Sequence, residues 1–183
     1  TLILPRAMHS QSSMEIVGRA LAGHAPADER EAASLRRILE LIETSPAPFS
    51  RAHFTPGHLT ASAFVVDAAR ARTLLVFHGK LGIWVQPGGH FEPGEHDPSV
   101  AAAREVREET LLETEWPGDS PFLLDVDVHG IPARQAEPAH FHFDLRMLLV
   151  ARPGAHAAGA GVKQAEWLTR AQAAALDLDP GVR

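Results

Sequence analysis

Glu105, Glu108 and Glu109 fall within the run Arg104-Glu105-Val106-Arg107-Glu108-Glu109, at i, i+3 and i+4 spacings that a helix turns onto one face. Like charges so placed repel by roughly 0.2–0.5 kcal/mol per pair, so stability alone would favour interleaved lysines. A bound cation would offset that repulsion. Carboxylate oxygens suit hard divalent ions such as Mg²⁺ or Mn²⁺, and Mg²⁺ is typically shared between a few carboxylates and substrate phosphates. Taken alone, the run reads equally as a solvated charged face, partly neutralised by Arg104 and Arg107.

A second polar pattern lies downstream. His140, His142, Asp144 and Arg146 alternate with Phe141, Phe143, Leu145 and Met147, and a strand turns the two sets to opposite faces. We expect the polar face to line a substrate pocket, with His90 and His129 nearby and with His90, His140, His142 and Arg146 as substrate contacts; a hydrogen-bonded structural row is the alternative. Transition-metal ligation by the two strand histidines is the less favoured reading, because an i, i+2 pair lacks a third ligand.

The elements that must position these groups can be read from local signals. Asp97-Pro98 supplies a helix N-cap followed by proline at the first helical position, predicting a helix from Pro98 to about Leu111. Residues 59–66 and 73–77 read as a hairpin and 83–85 as a short strand, stopped by the loop residues Pro87-Gly88-Gly89. Residues 122–131 and 140–151 read as strands, and Thr169 as the cap of a short helix through Leu176. Upstream, residues 27–43 carry Leu35, Ile38, Leu39 and Ile42 on one helical face. Pro46, Pro48 and Pro56 make residues 44–57 a linker. The chain divides into a tail (1–13, unstructured, with Met14 read as the native start), a helical extension with its linker (14–57) and a main domain (58–183). Trp84 and Trp167 are assigned to the core, and Lys80 to a solvated turn.

Composition narrows the function classes. At 183 residues, the chain suits one well-buried core. Its 45% hydrophobic and 22% charged residues are ordinary for a globular protein. The longest apolar runs fall far short of the roughly 20 residues a membrane span needs, and the first residues lack the features of a secretory signal. A cytoplasmic location is therefore expected. The absence of cysteine excludes disulfides, thiolate metal sites and thiol nucleophiles. A net charge of −6 disfavours binding to a nucleic-acid polymer. A phosphate-bearing ligand would need cations as mediators.

Read continuously, Gly88-Gly89-His90-Phe91-Glu92-Pro93-Gly94-Glu95, the capped helix and Arg104-Glu105-Val106-Arg107-Glu108-Glu109-Thr110 resemble the box of the Nudix (MutT-like) hydrolases. That motif is a glycine, five residues, a glutamate, seven residues, then Arg-Glu-x-x-Glu-Glu-x-Gly. Gly89 and Glu95 keep the first spacing, and Arg104 to Glu109 match the helix core. There are two departures. Eight residues separate Glu95 from Arg104, which shifts the loop against the helix face, and Leu111 stands where the motif has glycine. Without the usual left-handed cap, the helix is expected to end differently or run longer.

The resemblance covers residues 59–176, including Glu166-Trp167-Leu168. It implies an α/β/α sandwich with a mixed sheet and a loop–helix–loop catalytic motif. It also implies Mg²⁺ or Mn²⁺ held by Glu105, Glu108 and Glu109, with Gly89 lending a carbonyl, Glu95 a further candidate ligand and Arg104 orienting the glutamates. Glu108 or Glu105 would be the general base. The implied reaction is hydrolysis of a phosphoanhydride in a nucleoside triphosphate or a nucleoside diphosphate linked to another group, by a monomer or homodimer. A ligand sensor on the same fold is an alternative. A diphosphate isomerase is disfavoured, because that enzyme uses a cysteine.

Overall fold

The computed structural model describes residues 7–79, 82–134, 137–176 and 178, with the side chains of 7–13 left aside. Lys80 and residues 1–6 of the expected tail lie outside them. Two helices, α1 (Ala7–Ala22) and α2 (Glu29–Thr44), precede β1 (Gly57–Val66), β2 (Thr73–His78), β3 (Trp84–Val85), β4 (Gly88–His90), α3 (Pro98–Thr110), β5 (Thr114–Glu115), β6 (Phe122–Ile131), β7 (His140–Ala151), β8 (Val162–Leu168) and α4 (Arg170–Ala174). Helix α1 thus opens at Ala7, inside the segment assigned to a tail. Among the described residues, no helix is long and apolar enough to cross a membrane.

The expected mixed α/β fold is present, with one eight-stranded mixed sheet in which β1 runs parallel to β7 and antiparallel to β2 and β4. β1 leaves β2 after Val65–Val66 pair with Leu74 and Thr73, and β4 takes over at Thr60–Ser62. β2 meanwhile pairs with β3 and β8, which splays and curls the sheet. The residues expected to form only a glycine loop after Pro87 therefore include a short strand, admitted by the absence of a side chain at Gly88. A Cβ there would lie 2.6 Å from the Ser62 Cα.

The odd positions of β1 (Leu59, Ala61, Ala63, Val65) and β7 (Phe143, Leu145, Met147, Leu149) are buried in one core with Ala101, Ala102 and Val106 of α3 and Ile38 and Leu41 of α2. Leu39, expected on the apolar face of α2, is 44% exposed, and Leu41 occupies the core instead.

Helix α2 also covers the edge of β6. Glu31, only 3% exposed, accepts hydrogen bonds from the amides of Ala27 (2.6 Å) and Val126 (3.3 Å) and pairs with His24 at 2.6 Å. Arg37 lies 4.4 Å from the centre of the Phe141 ring. The Val126 amide on that edge is thereby bonded within the chain.

Candidate active site

Helix α3 starts as the sequence predicts, with Asp97 accepting from the Ser99 amide and Pro98 at the first position. Its acidic residues sit near its C-terminal end, where the helix dipole disfavours negative charge. Arg104 gathers them. Its Nε and Nη2 donate to the two oxygens of Glu95 (3.2 and 2.9 Å), and its Nη1 donates to Glu105 (2.9 Å) and Glu108 (3.2 Å). Nη2 also bonds the His90 carbonyl at 2.8 Å, tying the helix to β4. Glu95 therefore reaches the cluster despite the longer spacer. Glu109 turns toward the loop and accepts from the Gly88 amide at 3.1 Å. Glycine at position 89 lets the Glu105 carboxylate lie against β4, since a Cβ would stand 2.6 Å from Glu105 Oε1 and push that side chain aside.

Burial, then the charges of Glu105 and Glu108, push the Glu109 carboxyl up to about 8, against the Gly88 bond. Glu105 is also raised, chiefly by burial and against the pull of Arg104. Burial pushes Glu95 up too, but the bonds from Arg104 and the Glu92 amide outweigh it and hold that carboxyl below its usual range. The protein thus supplies one guanidinium to a crowd of carboxylates, a donor set that suits a hard divalent cation.

The far end of α3 departs from expectation. The helix stops at Thr110, and Leu111 takes the left-handed cap conformation itself (φ 60°, ψ 13°) with its side chain 59% exposed. A tertiary contact accounts for this. The loop before β8 sends the amides of Ala157, Gly159 and Ala160 onto the carbonyls of Thr110, Glu109 and Glu108, satisfying groups that a further turn would otherwise have bonded. A Cβ on Gly159 would meet the Glu108 carbonyl oxygen at 2.1 Å.

A scan of family models matches residues 56–183 to the NUDIX domain. The chain belongs to the Nudix family. Among solved structures, it is similar to a Nudix-family hydrolase from Clostridium perfringens, at 25% identity and TM-score 0.50, covering 68% of this chain and 90% of that one. It also resembles the NUDIX domain of Shewanella oneidensis NrtR, solved with ADP ribose, at 21% identity and TM-score 0.51, covering 76% and 88%. That second likeness speaks for the fold. The Nudix chain is a pyrophosphohydrolase.

Its polar sheet face is more closed than a substrate pocket. Three rungs cross β1, β7 and β6 in register: His58, His142 and His129; Thr60, Asp144 and Asp127; Ser62, Arg146 and Asp125. Arg146, expected to meet substrate, is 1% exposed and is engaged by Asp125 (2.8 Å), Asp127 (3.0 Å) and Asp144 (3.1 Å). Thr60 and Ser62 donate to Asp144 at 2.9 and 2.7 Å. A guanidinium so enclosed has no surface to offer a ligand, and Arg146 is reassigned to the structure.

The expected contacts His90, His140 and His142 pack on one another and on His58, with ring centres 5.0–5.2 Å apart across the pairs His58–His90, His58–His140, His58–His142, His90–His142 and His140–His142. Burial first, then neighbouring histidines and, for His58 and His90, Arg51, keep His58 below its usual range, His90 at about 4 and His142 at about 2. His58 carries no motif signal, and its place follows only from strand register. A cavity of about 630 Å³ lies elsewhere, between the β1–β2 turn and α4, and none of the expected site residues lines it.

Proposed function

We propose that Glu105, Glu108 and Glu109, with the Gly89 carbonyl, hold Mg²⁺ or Mn²⁺ and that the Nudix chain cleaves the phosphoanhydride of a nucleoside triphosphate or of a nucleoside diphosphate joined to another group. The observation that carries this reading is the convergence of Glu95, Glu105 and Glu108 on Arg104, beside Glu109 on the Gly88 amide, at the end of a helix whose dipole opposes its acidic residues. When bound, the ion neutralises charge developing on the phosphate oxygens and acidifies the attacking water.

The chain's own residues do the rest. Arg104 fixes the Glu105 and Glu108 carboxylates in one orientation. Gly89 lets Glu105 lie against β4. Glu108, 47% exposed at its side chain, is the carboxylate most open to solvent and takes the proton of the attacking water. Glu95 holds Arg104 in place from the loop.

Glu108→Gln keeps shape and removes charge, so metal-dependent turnover should fall at least about a hundredfold, the scale of a lost electrostatic group in an active site. Phosphate release would be measured on a panel of nucleoside triphosphates, nucleotide sugars and ADP-ribose-like compounds, comparing Mg²⁺ with Mn²⁺. Near-normal turnover with an intact fold overturns the assignment.

A further inference from the structure

The buried histidines on the opposite side of β4 remain unexplained by phosphoanhydride chemistry. Successive residues of a strand point to opposite faces, so Gly89 meets Glu105 while the ring of His90 packs against His58 and His142. His58 is 1% exposed and His140 6%. The Nδ1 of His58 lies 3.1 Å from the His53 carbonyl, and that of His140 lies 2.8 Å from the Pro138 carbonyl. A carbonyl can only accept, so each Nδ1 carries a proton, and in the neutral ring that leaves the Nε2 lone pair free to ligate. The Nε2 of His58 is buried with no hydrogen-bond partner. Leaving such a group unpaired costs roughly 1–3 kcal/mol, and an apolar side chain would pack there without that cost.

One ring nitrogen from each of His58, His140 and His142 lies within 4.8 Å of the other two. Four-coordinate Zn²⁺ with nitrogens at about 2.1 Å separates its ligands by about 3.4 Å, so an ion would draw these rings slightly together. A ligating imidazole that donates its other N–H to a backbone carbonyl is the usual support of a histidine metal site, because it fixes the tautomer and orients the ring.

We propose that His58, His140 and His142 form a second metal site, separate from the glutamates and selective for a borderline transition-metal ion such as Zn²⁺ rather than Mg²⁺. Neutral nitrogen donors without a carboxylate disfavour hard cations and suit Zn²⁺. The linker between α2 and β1 roofs the site, with the His53 carbonyl bonded to His58 and the Phe54 ring 5.0 Å from that of His140. Metal binding would therefore fasten the N-terminal extension to the sheet, and its free energy would add to that of folding.

The test uses the tag-free full chain, stripped of metal and titrated with Co²⁺, whose tetrahedral complexes absorb in the visible, followed by Zn²⁺ competition. One Co²⁺ per chain should give a ligand-field band that one equivalent of Zn²⁺ abolishes and excess Mg²⁺ does not. The band should persist in Glu105→Gln. His142→Gln and His140→Gln should weaken Co²⁺ binding at least about a hundredfold, since loss of an outer-shell partner alone costs 10–100-fold. A second measurement needs no variant: the Zn²⁺ X-ray absorption spectrum of the wild type should show nitrogen neighbours at about 2.0–2.1 Å with imidazole scattering. No band in the wild type, an unchanged band in His142→Gln, loss of the band in Glu105→Gln, or an oxygen-only shell would each overturn the proposal.

Discussion

Arg104 and Arg146 each bond to three carboxylates: Glu95, Glu105 and Glu108 in one case, Asp125, Asp127 and Asp144 in the other. The Arg146 side chain is 1% exposed, and its aspartates also receive Thr60, Ser62, Gln86, Arg30 and His129. Arg104 is 17% exposed, Glu108 is 47% exposed, and the adjoining Glu109 takes a single hydrogen bond among the described residues, from Gly88. The Arg146 network is closed by the protein's own donors. The Arg104 network leaves negative charge over for a cation from solution. The same pairing of residue types therefore serves stability where it is enclosed and chemistry where it is open, because desolvation makes an unpaired buried charge far more costly than an exposed one.

The largest effect should come from breaking the enclosed network. Arg146→Leu would strand three aspartates and lower the unfolding free energy in urea by about 3–5 kcal/mol, whereas Arg104→Leu, whose partner Glu108 is open to solvent, should cost less stability and reduce turnover instead. Equal destabilisation by the two would dissolve the contrast.

Next in size, Gly89→Ala must displace the Glu105 carboxylate, since its new Cβ would fall 2.6 Å from Oε1. A misplacement of about 1 Å can cost about a hundredfold in rate, so kcat in Mg²⁺ should drop while the melting temperature stays close to that of the wild type.

The pH dependence sharpens the picture further. Burial raises the Asp127 carboxyl, but the bond with His129 and the charges of Arg146, His129 and Arg30 outweigh it and hold the group below its ordinary value of 3.8. A carboxylate lowered by folding stabilises fully above its unfolded pKa and loses that contribution as pH falls through the folded one. Asp127→Asn should therefore cost about 1.5–3 kcal/mol above about pH 5, a gap that narrows below pH 4. A gap that widens in acid would contradict the closed network.

Smallest is Leu111→Gly. A left-handed leucine costs about 1–2 kcal/mol, and glycine returns roughly 0.5–1 of that as chain entropy. Thermal melts should show a gain of about 0.5–1 kcal/mol.

Local signals carried much of the catalytic region. Asp97-Pro98 marked the start of α3, and the 105/108/109 spacing placed its glutamates together, because capping and helical period act within a few residues. The polar alternation of β7 was equally legible, but its meaning was not. His140, His142 and Arg146 read as substrate contacts, since nothing near them in the chain announces Asp125, Asp127 or His58. The short strands β4 and β8 escaped notice, because two glycines and the mixed run Lys163-Gln164-Ala165-Glu166 carry little strand preference of their own.

What the sequence by itself determined is the loop–helix motif with its charge, and the family that motif belongs to: period, cap and composition are properties of contiguous residues. Only the tertiary structure decided which charges are enclosed, which residue ends α3, and that three histidines from β1 and β7 meet under the linker. The parallel pairing of β1 with β7 joins residues more than eighty positions apart, and the burial that sets their chemistry exists only once the sheet has formed.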